Sequence, residues 1–214
     1  RLYSFCRVLD DMADGDIENG PEHLVNIQNS LNQGDWENNR FLQQFSGLVS
    51  EYNFSPDVIS SLIEGLMDDQ APEVLIENEE QLIQYAYKVA GTVGLLMCGV
   101  LNTDEHRAKA HAVDLGIGMQ LTNIARDVVV DAKMGRRYLP GEWVNNMSPE
   151  DILVAAENPT SDDGLIITAA VKRLLALAEE YYASGRVGLS YLLLGLTSRL
   201  ELQQKYTVKL ESSY

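Results

Sequence analysis

Apolar residues recur at helical spacing along most of this sequence, and no stretch alternates apolar and polar residues as a half-buried strand does. After the start signal Ser55–Pro56, for example, Ile59, Leu62 and Ile63 follow the 3.6-residue period. We therefore predict an all-α fold, one domain over residues 1–214, with helices packed around a central space. The predicted helices cover residues 1–14, 21–33, 36–51, 55–69, 78–101, 104–132, 162–184 and 189–211.

The charge balance excludes several classes of partner. The chain carries 32 acidic and 16 basic residues, a formal net charge of −16, so nucleic acid and anionic lipid surfaces should repel it. An anionic ligand could bind only through local cations or metal ions. No run of about 18 uncharged apolar residues is present, so no transmembrane helix is expected.

Cysteines and histidines give no sign of a metal or disulfide framework. Cys6 and Cys98 lie singly in apolar stretches, which fits free thiols in a reducing compartment. His23, His106 and His111 lack the spacing of metal ligands, and we interpret each as a satisfied or exposed side chain.

Two segments place aspartates four residues apart on one helical face. In residues 120–131, four polar side chains fall within a narrow sector of a helix at about 100° per residue. They are Gln120, Asn123, Asp127 and Asp131. The opening segment repeats this arrangement with Tyr3, Arg7, Asp10 and Asp14, while Asp11 points to the side. Arg126 precedes the later pair as Arg7 precedes the earlier one.

Such pairs are costly if they are buried. Two carboxylates about 4 Å apart repel by about 4 kcal/mol at an effective dielectric constant near 20. A Mg²⁺ ion removes this repulsion, because it takes oxygen ligands and bridges one or two carboxylates to a substrate phosphate. The alternative is an ordinary solvated face, since the chain has 32 acidic residues. The apolar flanks of both pairs favour burial.

Two motifs carry a resemblance to a known family. The segments YSFCRVLDDMAD and QLTNIARDVVVDAKMGRRYLP resemble the two aspartate-rich motifs of the phytoene/squalene synthase family, most of all those of bacterial and plant phytoene synthases. Between and after them, LIEGLMDDQ, YAYKVAGTVGLLM and YYASGRVGLSYL are similar to further family segments. Nothing here matches the family's first helix, and the sequence begins at Arg1 within a motif, so we expect a preceding N-terminal helix to be missing.

The resemblance implies a fold and a reaction. The fold would be an isoprenoid synthase-type helical bundle around a central cavity. The reaction would be head-to-head condensation of two prenyl diphosphates, with Mg²⁺-assisted loss of diphosphate. For a phytoene synthase, geranylgeranyl diphosphate would give phytoene through prephytoene diphosphate, a cyclopropylcarbinyl diphosphate, and the last cation would lose a proton.

The resemblance also implies roles for individual residues. The metal ligands would be Asp10, Asp14, Asn123, Asp127 and Asp131. Arg7 and Arg126 would hold diphosphate or acidic partners, and would complete the catalytic set with the four aspartates. Tyr3 and Tyr85 would line the diphosphate or cation region, and Gln120 would face the same cavity.

Two further groups of residues would bind substrate. A flap that closes over the cavity would contain Arg136, Arg137 and Tyr138. A smooth wall for a prenyl tail would be formed by Val89, Ala90, Val93 and Gly94, although ordinary close helix packing at glycine also explains that segment.

The sequence is also compatible with other functions. Within the same chemistry, a squalene or dehydrosqualene synthase would use farnesyl diphosphate. A non-catalytic helical assembly or binding relative would be expected to lose an aspartate, and both pairs are intact. A Ca²⁺-binding helical module would need a DxDxDG-type loop, which is absent.

The expected cofactor is Mg²⁺, with Mn²⁺ as an alternative ion. The lack of a glycine-rich dinucleotide motif disfavours NADPH only weakly, because reductases of the family do not need that motif. The expected partners are prenyl diphosphates, with no nucleic acid. We expect a cytoplasmic or plastid-like location with peripheral membrane contact, which would require a local apolar rim because of the net charge.

Overall fold

We describe residues 1–35, 38–103 and 106–211 in a computed structural model, with side chains up to 189 and at 191. Helices dominate this part of the chain, as the sequence predicts. They are α1 (Leu2–Ala13), α2 (Gly20–Gln33), α3 (Arg40–Tyr52), α4 (Pro56–Asp68), α5 (Glu79–Ala86), α6 (Thr92–Leu101), α7 (His106–Lys133), α8 (Pro149–Glu157) and α9 (Asp162–Glu211).

Several helix starts follow from local capping. The side chain of Asn39 accepts bonds from the backbone N–H groups of Phe41 and Leu42, both at 3.1 Å. Helix α3 therefore begins at Arg40 rather than at residue 36, and residues 36 and 37 lie outside the described part. Ser55 occupies the predicted N-cap position of α4, but its side chain makes no capping bond.

The predicted helix over residues 78–101 is interrupted. A single π-helical turn, Tyr87–Gly91, joins α5 to α6. The hydroxyl of Thr92 donates to the carbonyl of Lys88 at 2.6 Å, which satisfies a backbone acceptor next to this wide turn. Such turns occur often at functional sites.

The two C-terminal helices predicted over 162–184 and 189–211 are one helix, α9. The residues between the two predicted helices include Gly185 and Gly188, and glycine lowers helix propensity by about 1 kcal/mol relative to alanine. Tertiary packing outweighs this cost. A Cβ atom on Gly188 would lie 2.5 Å from Cβ of His111, so glycine is what lets α9 pack closely against α7.

A short parallel bridge, which the sequence does not predict, ties two distant loops together. Strand β1 (Val74–Leu75) pairs with β2 (Arg136–Arg137). The backbone N–H of Ile76 donates to the carbonyl of Arg137 at 3.0 Å, and that of Gly141 donates to Ile76 at 2.8 Å. The segment after α7 is thereby fixed against the segment after α4.

Two apolar cores lie side by side along the bundle. One is formed mainly by α5, α7, α8 and α9, and the other mainly by α1, α2, α3, α4 and α6. Helices α6 and α7 pack against each other and so join the two cores. Within the described residues, no helix combines the length and the apolar character needed to cross a bilayer.

Candidate active site

A cavity of about 690 Å³ lies between α1, the π-turn, α6, α7 and α9. Its walls are largely apolar, and polar side chains enter it from α1 and α7. Eight of the predicted site residues line it, namely Tyr3, Asp10, Val89, Ala90, Val93, Gly94, Gln120 and Asn123. The two aspartate-rich motifs therefore reach the same cavity.

On α1, Asp10 lines the cavity and is partly buried, whereas Asp14 is exposed at the end of the helix. Burial, followed by the charge of Asp14, raises the pKa of Asp10 to about 6, and Arg7 opposes this shift. The guanidinium of Arg7 binds Asp11 at 2.7 Å. Arg7 thus contacts the aspartate that the helical wheel places to the side.

On α7, Gln120 and Asn123 line the cavity, and Asp127 and Asp131 follow on the next turns. Arg126 binds both carboxylate oxygens of Asp127, at 2.8 and 2.5 Å, and these hydrogen bonds hold the pKa of Asp127 below its usual value. Burial, followed by the charge of Asp127, raises the pKa of Asp131 to about 6.

The structure brings only part of the predicted metal set to the cavity wall. Asp14, Asp127 and Asp131 do not line the cavity. Across the residues described here, no group of three acidic, histidine or cysteine side chains has the arrangement of a metal site. Each motif offers a pair of carboxylates, and in each pair one pKa is raised, first by burial and then by the charge of the neighbouring aspartate.

A buried tyrosine pair lies near the second motif. The rings of Tyr85 and Tyr138 stack with centroids 4.7 Å apart. Both hydroxyls donate to Asp69, Tyr138 to Oδ1 at 2.6 Å and Tyr85 to Oδ2 at 2.9 Å. Burial raises the pKa of both tyrosines well above their ordinary value, and the charge of Asp69 adds to the shift. The two phenols therefore stay protonated at neutral pH.

Asp69 was missed by the sequence reasoning. It lies in the LIEGLMDDQ segment, directly after α4. Carboxylates are unfavourable at a helix C-terminus, because the helix dipole is negative there. Two consecutive aspartates in that position were therefore a signal that specific partners hold them. Lys88 contacts Asp68 at 2.8 Å, and the two tyrosines contact Asp69.

The segment predicted to be a flap is built into the core instead. Tyr138 is buried, and Arg137 has only 2% of its surface exposed. The guanidinium of Arg137 contacts Glu77 at 3.1 Å and is not among the groups that line the cavity. Arg136 donates to the backbone carbonyl of Asp69 at 2.8 Å.

The segment of residues 89–94 lines the cavity and also packs closely against α7. A Cβ atom on Gly94 would lie 2.2 Å from the carbonyl oxygen of Ala112. Gly94 is therefore required for close packing of α6 on α7, as the helix-packing alternative expects. Val89 and Ala90 reach the cavity from the π-turn.

The sequence patterns do not indicate several of the side chains that line the cavity. Both free cysteines line it, and burial, followed by the charge of Asp10, raises the pKa of Cys6 to about 12. His111 also lines it and bonds through Nδ1 to Ser184 at 2.8 Å, while Ser184 donates to Asp114. Met97 and Leu101 add apolar side chains to the lining.

Comparison with known proteins agrees with this architecture. The chain is 34% identical over 201 residues to a 15-cis-phytoene synthase of Paracoccus sp., a match covering 88% of this chain and 63% of the relative. It is 32% identical to a phytoene synthase of Cereibacter sphaeroides (87% and 55% covered) and to a presqualene diphosphate synthase of Zymomonas mobilis (75% and 57%). The chain thus spans less than two thirds of the length of these relatives.

Solved structures give the fold. A dehydrosqualene synthase in complex with ligand matches with a TM-score of 0.63 and 24% identity, covering 95% of this chain and 75% of that one. A squalene synthase, HpnC from Alicyclobacillus acidocaldarius, matches with a TM-score of 0.61 and 19% identity, covering 90% and 79%. The fold is therefore the all-α isoprenoid synthase fold. The squalene/phytoene synthase family model matches residues 1–202, and the chain belongs to that family.

Proposed function

We propose that this protein condenses two prenyl diphosphates head to head, as a prenyltransferase. The preferred substrate is geranylgeranyl diphosphate, and the product is phytoene formed through prephytoene diphosphate. One observation carries the proposal: polar side chains of both aspartate-rich motifs, Asp10 and Asn123, line one otherwise largely apolar cavity. An amphipathic substrate with an anionic head and a hydrocarbon tail needs such a cavity.

The donor set suits Mg²⁺, with Mn²⁺ as the alternative. Each motif supplies a carboxylate pair, and in each pair one pKa is raised to about 6, first by burial and then by repulsion from the neighbouring aspartate, which a cation would relieve. Magnesium commonly binds one or two protein carboxylates together with substrate phosphates, so two ligands per helix are sufficient. The residues that would hold it are Asp10, Asp14, Asn123, Asp127 and Asp131. Bound Mg²⁺ would neutralise the charge of the departing diphosphate.

Two arginines would help to bind the diphosphate. Arg7 and Arg126 each bind a neighbouring aspartate and are exposed. Their guanidinium groups could therefore donate bidentate hydrogen bonds to a diphosphate instead. Arg136 adds positive charge next to Asp131. We assign Gln120 and Tyr3 to the rim of the cavity, where they contact the head of the substrate.

The rest of the cavity protects the reaction from water. An allylic cation must be kept dry, because water would capture it as an alcohol. The apolar side chains of Val89, Ala90 and Val93 supply that environment. The stacked rings of Tyr85 and Tyr138 are buried and do not line the cavity, so their contribution to the reaction would be indirect. The final cation then loses a proton from carbon, and the C–H electron pair forms the new double bond.

The alternatives differ in product. A squalene or dehydrosqualene synthase would use farnesyl diphosphate in the same cavity, and the Zymomonas relative is named a presqualene diphosphate synthase. A non-catalytic helical binding protein would bind prenyl diphosphate without turnover. The intact aspartate pairs favour an enzyme.

The deciding experiment is incubation with geranylgeranyl or farnesyl diphosphate and Mg²⁺, followed by mass spectrometry of the lipid extract. Phytoene from the C20 substrate supports the proposal. Squalene or dehydrosqualene from the C15 substrate supports the alternative enzyme. Unchanged substrate with tight binding would assign the chain to the binding class.

The hydrocarbon product suggests where the protein works. Exposed apolar side chains surround the cavity, among them Met97, Leu101, Met119 and Leu189. We propose peripheral contact with a membrane through this rim, in a cytoplasmic or plastid-like compartment. Flotation with neutral phosphatidylcholine vesicles tests the contact without contribution from lipid charge.

A further inference from the structure

We propose that Asp69 is a positioning residue of the condensation reaction, which fixes the hydroxyl of Tyr85 and through it the electrostatic environment of the carbocation. The inference rests on the proposed function and concerns a residue outside both aspartate-rich motifs.

The first argument is geometric. Asp69 uses both carboxylate oxygens, accepting from Tyr138 at 2.6 Å and from Tyr85 at 2.9 Å. These bonds link the end of α4, helix α5 and the segment after α7, which are 16 to 69 residues apart in sequence. The stacked rings and the shared acceptor leave the two phenols little freedom to rotate.

The second argument concerns the electron distribution of Tyr85. Its proton is donated to a carboxylate, so the lone pairs of the phenol oxygen stay available to a cationic group. A charged acceptor strengthens the bond relative to a neutral one and pushes electron density onto the phenol. Tyr85 lies one turn before Val89, which lines the cavity. Tyr85 itself is not among the lining residues, so Asp69 fixes the orientation of a hydroxyl that lies one helical turn from the cavity wall.

The third argument is the connection to the second motif. Arg136 donates to the backbone carbonyl of Asp69 and also lies near the carboxylate of Asp131. The charge of Asp69 in turn acts on Asp131. Asp69 thus ties the tyrosine pair to the wall that carries the predicted metal ligands.

The test compares Asp69→Asn with Asp68→Asn. Asparagine keeps the size of the side chain but removes its charge and presents an NH₂ group to one tyrosine. Asp68 is the matched control, because it is the adjacent aspartate, is exposed and pairs with Lys88 instead. For Asp69→Asn we expect kcat to fall roughly 10- to 100-fold with KM changed less than twofold, and a larger released fraction of cyclopropylcarbinyl diphosphate. Asp68→Asn should behave as wild type.

A second measurement does not depend on turnover. N,N-dimethylgeranylgeranylamine, cationic at pH 7, mimics the charge of the carbocation, and geranylgeraniol is its neutral counterpart. Calorimetric titration with Mg²⁺ and pyrophosphate present should show that Asp69→Asn weakens amine binding about tenfold and leaves alcohol binding unchanged. Ultraviolet resonance Raman spectra should show two tyrosines losing a carboxylate acceptor in Asp69→Asn, whereas Tyr138→Phe should remove one bonded tyrosine and leave Tyr85 bonded.

The outcomes separate the two proposals. If wild type makes no condensed product but Asp69→Asn selectively loses amine binding, the proposed function fails, whereas the effect of Asp69 on a bound cation is retained. If wild type is active and Asp69→Asn matches Asp68→Asn in kcat and amine affinity, the positioning role is overturned. Equal loss of amine and alcohol binding together with a lower melting temperature would assign Asp69 a merely structural role.

Discussion

The carbonyl oxygen of Ala90 lies where a side chain on Gly116 would have to be. An ideal Cβ atom on Gly116 would come within 2.3 Å of that oxygen, far inside van der Waals contact. The obstacle is backbone and cannot rotate away. The π-turn and α7 therefore approach each other at a distance that only glycine permits.

Gly116→Ala should consequently destabilise the protein. Separating the two helices costs about 1–3 kcal/mol, as for other overpacked cores. Gly47→Ala is the control, because a Cβ atom there meets nothing within 4 Å and lies on an exposed helix face. That substitution should stabilise by about 0.5–1 kcal/mol through helix propensity. Urea denaturation measures both, and equal stability of the two variants would contradict the close approach.

Neutralising the motif aspartates should remove activity without unfolding the chain. We expect Asp10→Asn and Asp127→Asn to lower kcat by roughly 100- to 1000-fold, because each loses a charge at the diphosphate end. Circular dichroism should be unchanged, since Asp127 contributes only a surface ion pair and Asp10 is repelled by Asp14. Glu73→Gln, an exposed acid elsewhere, is the control. Wild-type turnover in either aspartate variant would refute the metal-ligand assignment.

Stability should depend on pH through the same side chains. The pKa values of Asp10 and Asp131 are raised from 3.8 to about 6, so the folded state binds protons more readily than the unfolded state between those values. Without metal, each group therefore adds stability below about pH 4 that is lost as pH rises through 6, on the order of 1 kcal/mol after allowing for solvent screening.

Thermal unfolding of wild type, Asp10→Asn and Asp131→Asn at pH 4.5, 6 and 7.5 checks this dependence. Each asparagine variant should lack the pH-dependent stability that its aspartate contributes in wild type. Added Mg²⁺ should stabilise wild type at pH 7.5 and lose its effect below pH 6, because the ligands must be deprotonated. If wild type instead lost stability relative to both variants as the pH was lowered, the pKa values of Asp10 and Asp131 would be lowered by folding and the prediction would be wrong.

Arg137 and Glu77 should respond unequally to mutation. Arg137 is buried, while the side chain of Glu77 is 53% exposed. Glu77→Ala leaves a buried charge without its counterion and should cost about 2–3 kcal/mol. Arg137→Met replaces that charge by an apolar side chain of similar size and should be close to neutral. Chemical denaturation ranks the variants. Loss of activity in a fully folded Arg137→Met would restore the substrate role that its burial argues against.

Local sequence patterns were sufficient for most of the helices. The apolar period located α1, α2, α4 and α7 to within about two residues, since each buries a stripe that repeats every 3.6 residues. Helix α8 has no such long stripe and was missed. Its capping box, in which Ser148 and Asp151 bond each other's backbone N–H groups, was nevertheless present in the sequence.

Contacts between distant segments were not predictable in the same way. Nothing local relates Asp69 to Tyr138, or Val74 to Arg136, because these pairs meet only after the bundle has formed. The helical wheel correctly grouped Gln120 with Asn123. The same wheel places Asp11 beside the aspartate face, yet Arg7 and Asp11 are four residues apart, a spacing that predicts the ion pair they form.

The π-turn at Tyr87–Gly91 has a consequence for protein engineering. A π-helical turn contains one residue more than an α-helical turn. The extra residue is accommodated within the turn, so the side chains of α6 keep the direction they would have in a continuous α-helix. Deletion of one residue within the π-turn should therefore leave the side chains of α5 and α6 facing the same directions. Deletion of one residue within α6 would instead rotate all later residues of that helix by about 100° about its axis.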